Sequence, residues 1–262
     1  MSHTYSAPLL LESLSRLVRD AGAVVMSVYS TDFGVRGKGD SSPVTEADEK
    51  AEAVILAGLA ALTPAIPVVA EEAVAGGTIP DVGARFWLVD PLDGTKEFIS
   101  RNGEFTVNVA LVENGEPVLG VVLAPALGAC GRLFSGGRSL GAMLEDEGGR
   151  RTIRCRPVPS NGLTVVASRS HGDAAALDAF LAGRKVAATT SAGSSLKLCL
   201  LAAGEADLYP RLGRTMEWDI AAGHAVLAAA GGSVCRVDDG SPLRYGKTGF
   251  ENPHFVAAGL PN

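Results

Sequence analysis

The stretch Trp87-Leu88-Val89-Asp90-Pro91-Leu92-Asp93-Gly94-Thr95 joins a short apolar run to two carboxylates that lie three residues apart. The apolar part predicts a buried strand, so both acids come at the end of that strand. Burying two unpaired carboxylates would be very costly. No Lys or Arg lies between them, so a hard cation is their natural partner. Mg²⁺ in particular combines a few carboxylates with water and phosphate oxygens.

The remaining residues of this stretch suit a metal site. Pro91 fixes the turn and has no N–H to donate, which leaves the carbonyl of Leu92 free to face a metal. Gly94 permits a tight turn. Thr95 is predicted to begin a short helix, whose backbone N–H groups can meet a phosphate. The competing interpretation is a plain surface turn, since Asp, Pro and Gly are common turn residues.

Two other acidic motifs differ from this one in their spacing. An EF-hand loop needs acids at alternate positions and a bidentate Glu at position 12. An aspartyl-phosphate phosphatase of the haloacid dehalogenase type typically shows D-x-D-G-T, whereas two residues separate Asp90 from Asp93 here. A covalent aspartate nucleophile therefore remains the second mechanism to test.

Two acids elsewhere in the chain are further ligand candidates. Glu71 follows the predicted strand 66–70, and Asp219 opens a predicted helix after Glu217-Trp218. Alone, Glu71 is an ordinary loop acid. Asp219 alone is an acid at a helix N-terminus, where the helix dipole stabilises it. Together with Asp90, Glu71 is better interpreted as a metal ligand, while Asp219 needs independent support.

The composition is that of a globular protein with a modest acidic excess. The 262 residues are 47% hydrophobic and 20% charged, with a formal net charge of −6. This charge disfavours a nucleic-acid polymer as partner but allows a small phosphorylated substrate, because bound cations reverse the local field. Four cysteines without a C-x-x-C pair indicate a cytosolic protein with reduced or buried thiols. We expect neither a targeting segment nor a transmembrane segment.

Helical and extended patterns alternate along the chain. Residues 34–43 are predicted to form a Gly-rich loop, and residues 105–112 and 118–123 a hairpin turned at Asn114-Gly115. A Pro/Ser/Asn-rich stretch at 157–161 divides the chain into an N-terminal half, 1–157, and a C-terminal half, 158–262. Further helices are predicted at 8–29, 46–62, 173–181, 194–203 and 219–230, and further strands at 86–89, 163–167, 186–188, 206–209 and 233–237.

The motifs taken together resemble the inositol monophosphatase superfamily, in the expected order and over nearly the whole chain. They are Pro43-Val-Thr-x-Ala-Asp48, Glu71-Glu72, the stretch from Trp87 to Thr95, and Glu217-Trp-Asp219-Ile-Ala-Ala-Gly223. Finer motifs resemble its CysQ-type 3'(2'),5'-bisphosphate nucleotidases, among them Asp93-Gly-Thr-Lys-Glu-Phe-Ile99, Gly193-Ser-Ser-Leu-Lys197, Tyr209-Pro-Arg211 and Asn252-Pro-His-Phe255. The resemblance implies an α+β fold, a layered αβαβα sandwich of the inositol monophosphatase / fructose-1,6-bisphosphatase type.

The resemblance also implies roles for individual residues. The metal ligands would be Glu71, Asp90, Asp93, Asp219 and the carbonyl of Leu92, holding two or three Mg²⁺ ions. Asp48 and Thr95 would orient the attacking water together with Glu71, and these three are the implied catalytic residues. Substrate contacts would come from Glu71, Leu92, Asp93, Gly94, Thr95 and Asp219. Lys197 and Arg211 are candidates for the second phosphate or the base of the substrate, His171 for its pocket and Lys38 for the phosphate region. Ala70 stands where Gly or Ser commonly precedes the acidic pair.

The implied activity is Mg²⁺-dependent removal of the 3'-phosphate of adenosine 3',5'-bisphosphate, giving AMP and phosphate in sulfur assimilation. Inositol monophosphate and fructose 1,6-bisphosphate are the competing substrates within the superfamily. An aspartyl-phosphate phosphatase and a non-catalytic phosphate binder are the remaining alternatives. The resemblance further implies inhibition by Li⁺ and a homodimer. The expected location is the cytoplasm, with peripheral attachment to the inner face of the cell membrane left open.

Overall fold

The computed structural model describes residues 6–37, 43–168 and 174–260 of the chain. Helices and strands alternate through most of this length. The helices are α1 Ala7–Tyr29, α2 Glu46–Leu62, α3 Glu71–Ala75, α4 Thr95–Ile99, α5 Ala174–Leu181, α6 Leu196–Ala202 and α7 Glu217–Ala229. The strands are β1 Val35–Gly37, β2 Pro43–Thr45, β3 Val68–Ala70, β4 Arg85–Asp93, β5 Thr106–Glu113, β6 Glu116–Ala124, β7 Arg132–Gly137, β8 Gly141–Asp146, β9 Gly149–Ile153, β10 Leu163–Ser168, β11 Val186–Ala192, β12 Leu208–Arg211, β13 Ser233–Arg236 and β14 Phe255–Ala258.

The first two helices cover one face of the larger sheet. In α1, buried apolar residues recur at three- and four-residue steps, from Leu10 through Leu14 and Leu17 to Val28, as expected for an amphipathic helix. The helix α2 begins with a capping box: the Thr45 side chain accepts from the backbone of the first turn, and Asp48 accepts from the backbone N–H of Thr45. The capping box fixes where α2 starts, and with it the position of Asp48.

The larger sheet has seven strands in the order β3-β4-β5-β6-β7-β8-β9. Strands β3 and β4 are parallel, and the other neighbours are antiparallel. In the β4–β5 ladder, Asp90 lies opposite Asn108 and Asp93 lies opposite Thr106, with an irregularity in β4 between the two acids. A local bulge of this kind re-aims side chains at the end of a strand.

The smaller sheet has five strands in the order β11-β10-β12-β14-β13. Strand β10 is parallel to both of its neighbours, whereas β12, β14 and β13 are antiparallel. Helix α5 connects β10 to β11, as expected for a crossover between parallel strands.

Helices α6 and α7 lie between the two sheets and complete the layers. One apolar core fills the space between α1, α2 and the larger sheet. A second core joins the opposite face of that sheet to α6, α7 and the smaller sheet. Helix α7 lies close to the strands beneath it: a Cβ built on Gly120 of β6 would come within 2.4 Å of the Ala222 carbonyl oxygen, and one on Gly136 of β7 within 2.9 Å of the Val226 Cα.

Several predicted elements are corrected by the structure. The predicted loop 34–43 carries β1 and β2 at its two ends, which pair as a two-stranded ladder. The predicted strand 86–89 extends from 85 to 93, so the two acids lie within β4 rather than in a turn after it. The predicted strand 186–188 reaches residue 192, because it pairs with β10 along its whole length. Strand β14 was not predicted. The boundary at residue 157 falls between β9 and β10, and the division into halves stays a prediction.

In the parts of the chain that the structure describes, no helix is long and apolar enough to cross a membrane. All four cysteines are free, and Cys155 and Cys199 are buried.

Candidate active site

A cavity of about 690 Å³ opens where β4, α4 and α7 approach α6 and β12. Its walls contain most of the predicted site residues. Among the residues that line it are Glu71, Asp90, Leu92, Asp93, Gly94, Thr95, Lys197, Arg211 and Asp219. The cavity therefore brings together two segments that are far apart in sequence, residues 71–97 and 168–220.

The two acids of β4 are placed by the bulge between them. Asp90 is 1% exposed, and its Oδ1 accepts a hydrogen bond of 3.0 Å from the backbone N–H of Leu92. Gly94 then adopts a φ of +91° and precedes α4 as its N-cap. Because positive φ is strained for side-chain-bearing residues, Gly94 lets the chain turn directly from Asp93 into α4.

The position of Glu71 depends on Glu52, a residue that the sequence analysis did not identify. Glu71 is the first residue of α3, and the next two backbone N–H groups, of Glu72 and Ala73, donate to the carboxylate of Glu52 at 2.8 and 2.9 Å. Glu52 lies one turn after Asp48 in α2 and is 6% exposed. Helix α2 therefore supports two parts of the site, Asp48 directly and Glu71 through the N-terminus of α3.

Asp219 reaches the cavity from the first turn of α7. Its Oδ2 accepts a 2.8 Å hydrogen bond from the backbone N–H of Met216, and the Ser195 hydroxyl donates to its backbone carbonyl. These contacts tie α7 to the loop before α6. Asp219 thus lies at a helix N-terminus, as predicted, and is brought to the acids of β4 by the packing of α7 on the larger sheet.

A second network holds the first turn of α7 from outside the cavity. Glu217 is fully buried and accepts from the backbone N–H groups of Gly246 and Lys247 and from the Lys247 ammonium, at 2.6–2.9 Å. The Asn252 amide donates to the carbonyl of Met216 at 2.7 Å. The C-terminal segment therefore fixes the turn that carries Asp219. The partners lie about 30 residues apart in sequence, and local sequence patterns carry no signal of such pairs.

The four acids repel one another strongly. Burial raises the pKa of Asp90 well above its ordinary value, and the charges of Glu71, Asp93 and Asp219 raise it further. Burial also raises the pKa of Asp219, with Asp93 as the next cause. The pKa of Asp93 rises to about 6, chiefly through burial, although Lys197 opposes the shift. Buried like charges of this kind call for a cation.

The oxygen atoms around the cavity suit a Mg²⁺ ion that keeps some of its waters. Among the described residues they do not form a closed site in which the protein alone supplies every ligand. Within residues 6–37, 43–168 and 174–260, no three acidic, Cys or His side chains are gathered tightly enough to hold a metal ion by themselves. Oxygen ligands that line an open cavity suit an ion that keeps several waters and is held by one or two carboxylates plus phosphate. The carboxylates of Glu71, Asp90, Asp93 and Asp219 offer oxygen atoms of that kind to the cavity.

Asp48 and Thr95 meet at the edge of the same cavity. Asp48 Oδ2 accepts from the backbone N–H and the hydroxyl of Thr45, both at 2.8 Å. Its Oδ1 faces the Thr95 hydroxyl at 3.4 Å, and that hydroxyl lies equally far from the Leu92 carbonyl oxygen. Asp48 is therefore locked in orientation, with one oxygen directed at Thr95.

Comparison with known proteins identifies the family to which this chain belongs. The sequence pattern of the inositol monophosphatase family matches residues 9–259. The chain belongs to the inositol monophosphatase family. The resemblance of the sequence to this family and the predicted layered α+β fold are thereby confirmed.

Relatives within the family include CysQ proteins. The 3'(2'),5'-bisphosphate nucleotidase CysQ of Escherichia coli (strain K12) is 48% identical over 249 residues, which cover 94% of this chain and 98% of that protein. The CysQ of Buchnera aphidicola is 39% identical and covers 96% of this chain and 94% of its own length. A crystal structure of CysQ from Bacteroides thetaiotaomicron matches with a TM-score of 0.78 at 38% identity, covering 96% and 97% of the two chains. The predicted CysQ-type branch of the inositol monophosphatase family is confirmed.

In this member of the inositol monophosphatase family, the structure brings together the described residues that were predicted for the site. Only Asp48, behind Thr95, does not line the cavity itself. His171 and Lys38 lie outside the described residues. Sequence reasoning missed Glu52 and the network around Glu217, whose partners are distant in sequence. It also missed Ser194 and Ser195, although the Gly193-Ser-Ser motif marked their segment.

Proposed function

We propose that this member of the inositol monophosphatase family is a 3'(2'),5'-bisphosphate nucleotidase. It converts adenosine 3',5'-bisphosphate to AMP and phosphate, a reaction of sulfur assimilation. The observation that carries this proposal is the cavity in which Glu71, Asp90, Asp93 and Asp219 converge, in a chain with 48% identity to CysQ over 94% of its length. The proposed substrate, a small bisphosphate, is of the class named for the nucleotidase activity of those relatives.

The acids and one carbonyl would hold the metal. We assign Glu71, Asp90, Asp93, Asp219 and the Leu92 carbonyl as ligands of two or three Mg²⁺ ions. Bound there, Mg²⁺ lowers the pKa of a bound water and neutralises charge on the phosphoryl group. The raised pKa values of Asp90, Asp93 and Asp219 support this assignment, because a cation relieves the repulsion that raises them.

The protein residues then orient the attacking water. Asp48 accepts a hydrogen bond from the Thr95 hydroxyl, whose oxygen lone pairs are left to accept from the water. Glu71 accepts a second hydrogen bond from that water and takes its proton. The water oxygen forms a bond to phosphorus while the bond from phosphorus to the 3'-oxygen breaks. The leaving 3'-oxygen takes a proton from solvent in the open cavity. Asp93, Gly94, Thr95 and Asp219 would contact the substrate around the reacting phosphate.

Other mechanisms and substrates make different predictions. A covalent aspartyl-phosphate enzyme would accumulate a trappable phosphoenzyme on Asp90. Inositol monophosphate and fructose 1,6-bisphosphate would be turned over faster than adenosine 3',5'-bisphosphate if the branch assignment were wrong. A non-catalytic binder would bind the substrate without releasing phosphate.

The assay is phosphate release from adenosine 3',5'-bisphosphate with and without Mg²⁺ and Li⁺. We expect activity that requires Mg²⁺ and falls in Li⁺. Asp93→Asn should lose activity by about 10²-fold or more, since a direct ligand changes, whereas Asp20→Asn on the distant helix α1 should match the parent. Unchanged activity in a clean Asp93→Asn preparation would refute the metal assignment.

Light scattering tests the proposed homodimer. Free cysteines support a reducing compartment, the cytoplasm, and sedimentation with membranes tests peripheral attachment.

A further inference from the structure

Strand β5 carries two polar side chains that are completely buried beside the acids of β4. Asn108 and Thr106 are each 0% exposed. Among the described residues, both polar atoms of the Asn108 amide and the Thr106 hydroxyl have no hydrogen-bond partner. Most buried polar groups in folded proteins are hydrogen-bonded, so a group without a partner requires an explanation. Here three such atoms lie in two residues of a single strand.

The ladder between β4 and β5 places these residues next to two of the proposed metal ligands. Asn108 lies directly opposite Asp90, and Thr106 lies directly opposite Asp93. Residues that face each other in an antiparallel ladder direct their side chains to the same face of the sheet, with Cβ atoms about 5 Å apart. Each of the two acids therefore has a buried hydrogen-bond donor as its neighbour on β5.

The alternation of β5 shows which face of the sheet these donors occupy. Val107 and Val109 belong to the apolar core against α1 and α2, whereas Ala110 belongs to the core against α6 and α7. Because successive side chains of a strand point to opposite faces, Asn108 and Thr106 face α6 and α7. The cavity opens on this side of the sheet, but neither residue lines it. Both therefore lie beneath the cavity floor, where they do not touch substrate.

An apolar side chain would suit the position of Asn108 better if packing were its only role. Burial of an amide without partners is unfavourable, and the neighbour of Asn108 on β6, Val122, is apolar. What an amide offers and an apolar group lacks is a donor for a carboxylate. The Asp90 carboxylate has about four acceptor sites, and the Leu92 N–H uses one of them. Sites on Asp90 are left for a cation and for a further donor.

We propose that Asn108 and Thr106 are positioning residues for the metal site. When Mg²⁺ is bound, the Asn108 Nδ2 donates to the carboxylate of Asp90. The Thr106 hydroxyl donates to the carboxylate of Asp93 in the same way. This inference rests on the proposed function, because it takes both acids as metal ligands. Hydrogen bonds of this kind orient the carboxylates that hold a metal, and Mg²⁺ demands near-ideal geometry. The two residues thus lower the stability of the metal-free protein and raise its affinity for the metal.

Asn108→Leu tests both halves of this statement, since it removes the amide at nearly constant volume. In the presence of a chelator, the urea concentration at the midpoint of unfolding should equal or exceed that of the parent, because an unpartnered buried amide is gone. Calorimetric titration with Mg²⁺ alone should give a dissociation constant about 10–100-fold above that of the parent. A purely structural role of Asn108 predicts the reverse, a lower midpoint with an unchanged dissociation constant.

Thr106 offers a matched pair of variants. Thr106→Val keeps the shape but loses the hydroxyl, so the Mg²⁺ dissociation constant should rise about tenfold. Thr106→Ser keeps the hydroxyl and should bind Mg²⁺ like the parent. Leu111→Met is the control for a packing change in the same strand, because Leu111 lies on the opposite face, against α1 and α2. This volume-conserving change should leave the dissociation constant as it is.

The outcomes separate this proposal from the proposed function. If the parent binds no Mg²⁺, the metal assignment fails, and the proposed function fails with it. If the parent binds Mg²⁺ and both Asn108→Leu and Thr106→Val bind it equally tightly, the positioning role is wrong. Circular dichroism shows whether each variant is folded. Should Asn108→Leu not fold, Thr106→Val decides: binding weaker than that of Thr106→Ser supports the proposal, and equal binding overturns it.

Discussion

Glu52→Gln tests how the structure holds Glu71 in place. The Glu52 carboxylate accepts two backbone hydrogen bonds at the start of α3, and Glu71 is the first residue of that helix. Glutamine keeps the shape and one acceptor oxygen. It replaces the other oxygen with an amide N–H₂ that faces a backbone N–H. One charge-assisted bond is therefore lost and one backbone donor is left without a partner.

The expected size follows from these two bonds. A hydrogen bond to a charged group contributes about 1.5–3 kcal/mol, and a buried unsatisfied donor costs about 1–3 kcal/mol. We therefore expect the free energy of unfolding to fall by about 2–4 kcal/mol. Because α3 would then hold Glu71 less rigidly, kcat/KM should fall by at least about tenfold, and the Mg²⁺ concentration for half-maximal activity should rise.

Urea unfolding and a Mg²⁺ titration of phosphate release measure both effects. The matched control is Glu49→Gln, in the same helix α2. Glu49 is 51% exposed at its side chain and pairs with Arg36 at 2.7 Å. A surface pair of this kind contributes at most about 1 kcal/mol, so the control should keep its stability and activity. If Glu52→Gln behaves like Glu49→Gln in both assays, Glu52 does not position Glu71.

Three further outcomes follow from the same structure. Lys247→Met leaves the fully buried Glu217 without its ammonium partner, so the free energy of unfolding measured in urea should fall by about 2–4 kcal/mol. Arg214→Met removes an exposed ion pair and should cost less. Equal losses in the two variants would contradict this prediction. Gly193→Ala should reduce kcat/KM at least tenfold with the circular dichroism spectrum unchanged, whereas Gly34→Ala, where no atom lies within 4 Å of the added Cβ, should be neutral. The raised pKa of Asp93, about 6, means that below pH 6 protons compete with the metal. The Mg²⁺ concentration for half-saturation should therefore rise by up to about tenfold for each pH unit below 6. Calorimetric titration with Mg²⁺ alone measures this concentration, and a value that does not change with pH would show that Asp93 does not bind the metal.

The raised pKa of Asp93 also predicts how the stability of the metal-free protein changes with pH. The folded-state pKa of Asp93 lies above the value of an unfolded aspartate, near 3.9, so the folded state binds more protons between pH 4 and 6. Stability of the metal-free protein should fall as pH rises through that window, and saturating Mg²⁺ should reverse the trend. Thermal melting from pH 4 to 7, with and without Mg²⁺, shows whether stability falls or rises with pH in each case.

The sequence was most informative where a local pattern decides the structure. The Asn114-Gly115 turn was predictable because a type I′ hairpin turn needs positive φ at both central residues, which Asn and Gly tolerate, and the two φ angles are 53° and 77°. Thr45 and Asp48 were recognisable as a capping box because the three-residue spacing between N-cap and N3 is itself a local sequence pattern. The acids of β4 stood out because an apolar run precedes them.

Contacts between distant segments could not be predicted in this way. Glu52 has an unremarkable place in the pattern of α2, and only the fold brings it to the start of α3, 20 residues later. Glu217 and Lys247 meet across 30 residues. Strand β14 was not predicted, and in the smaller sheet it pairs with β12 on one side and β13 on the other. Such interactions depend on tertiary packing rather than on local propensity.

Gly120 and Gly136 allow helix α7 to pack closely on the larger sheet, and so they set the position of Asp219 in the active site. Helix α7, which carries Asp219, lies so near the sheet that a Cβ on Gly120 would approach the Ala222 carbonyl oxygen to 2.4 Å, about 1 Å closer than an ordinary contact. A single methyl group would thus lift the helix by more than the roughly 0.5 Å within which catalytic groups must be placed. Two buried glycines under the helix, neither of which lines the cavity, therefore determine how closely Asp219 approaches the acids of β4.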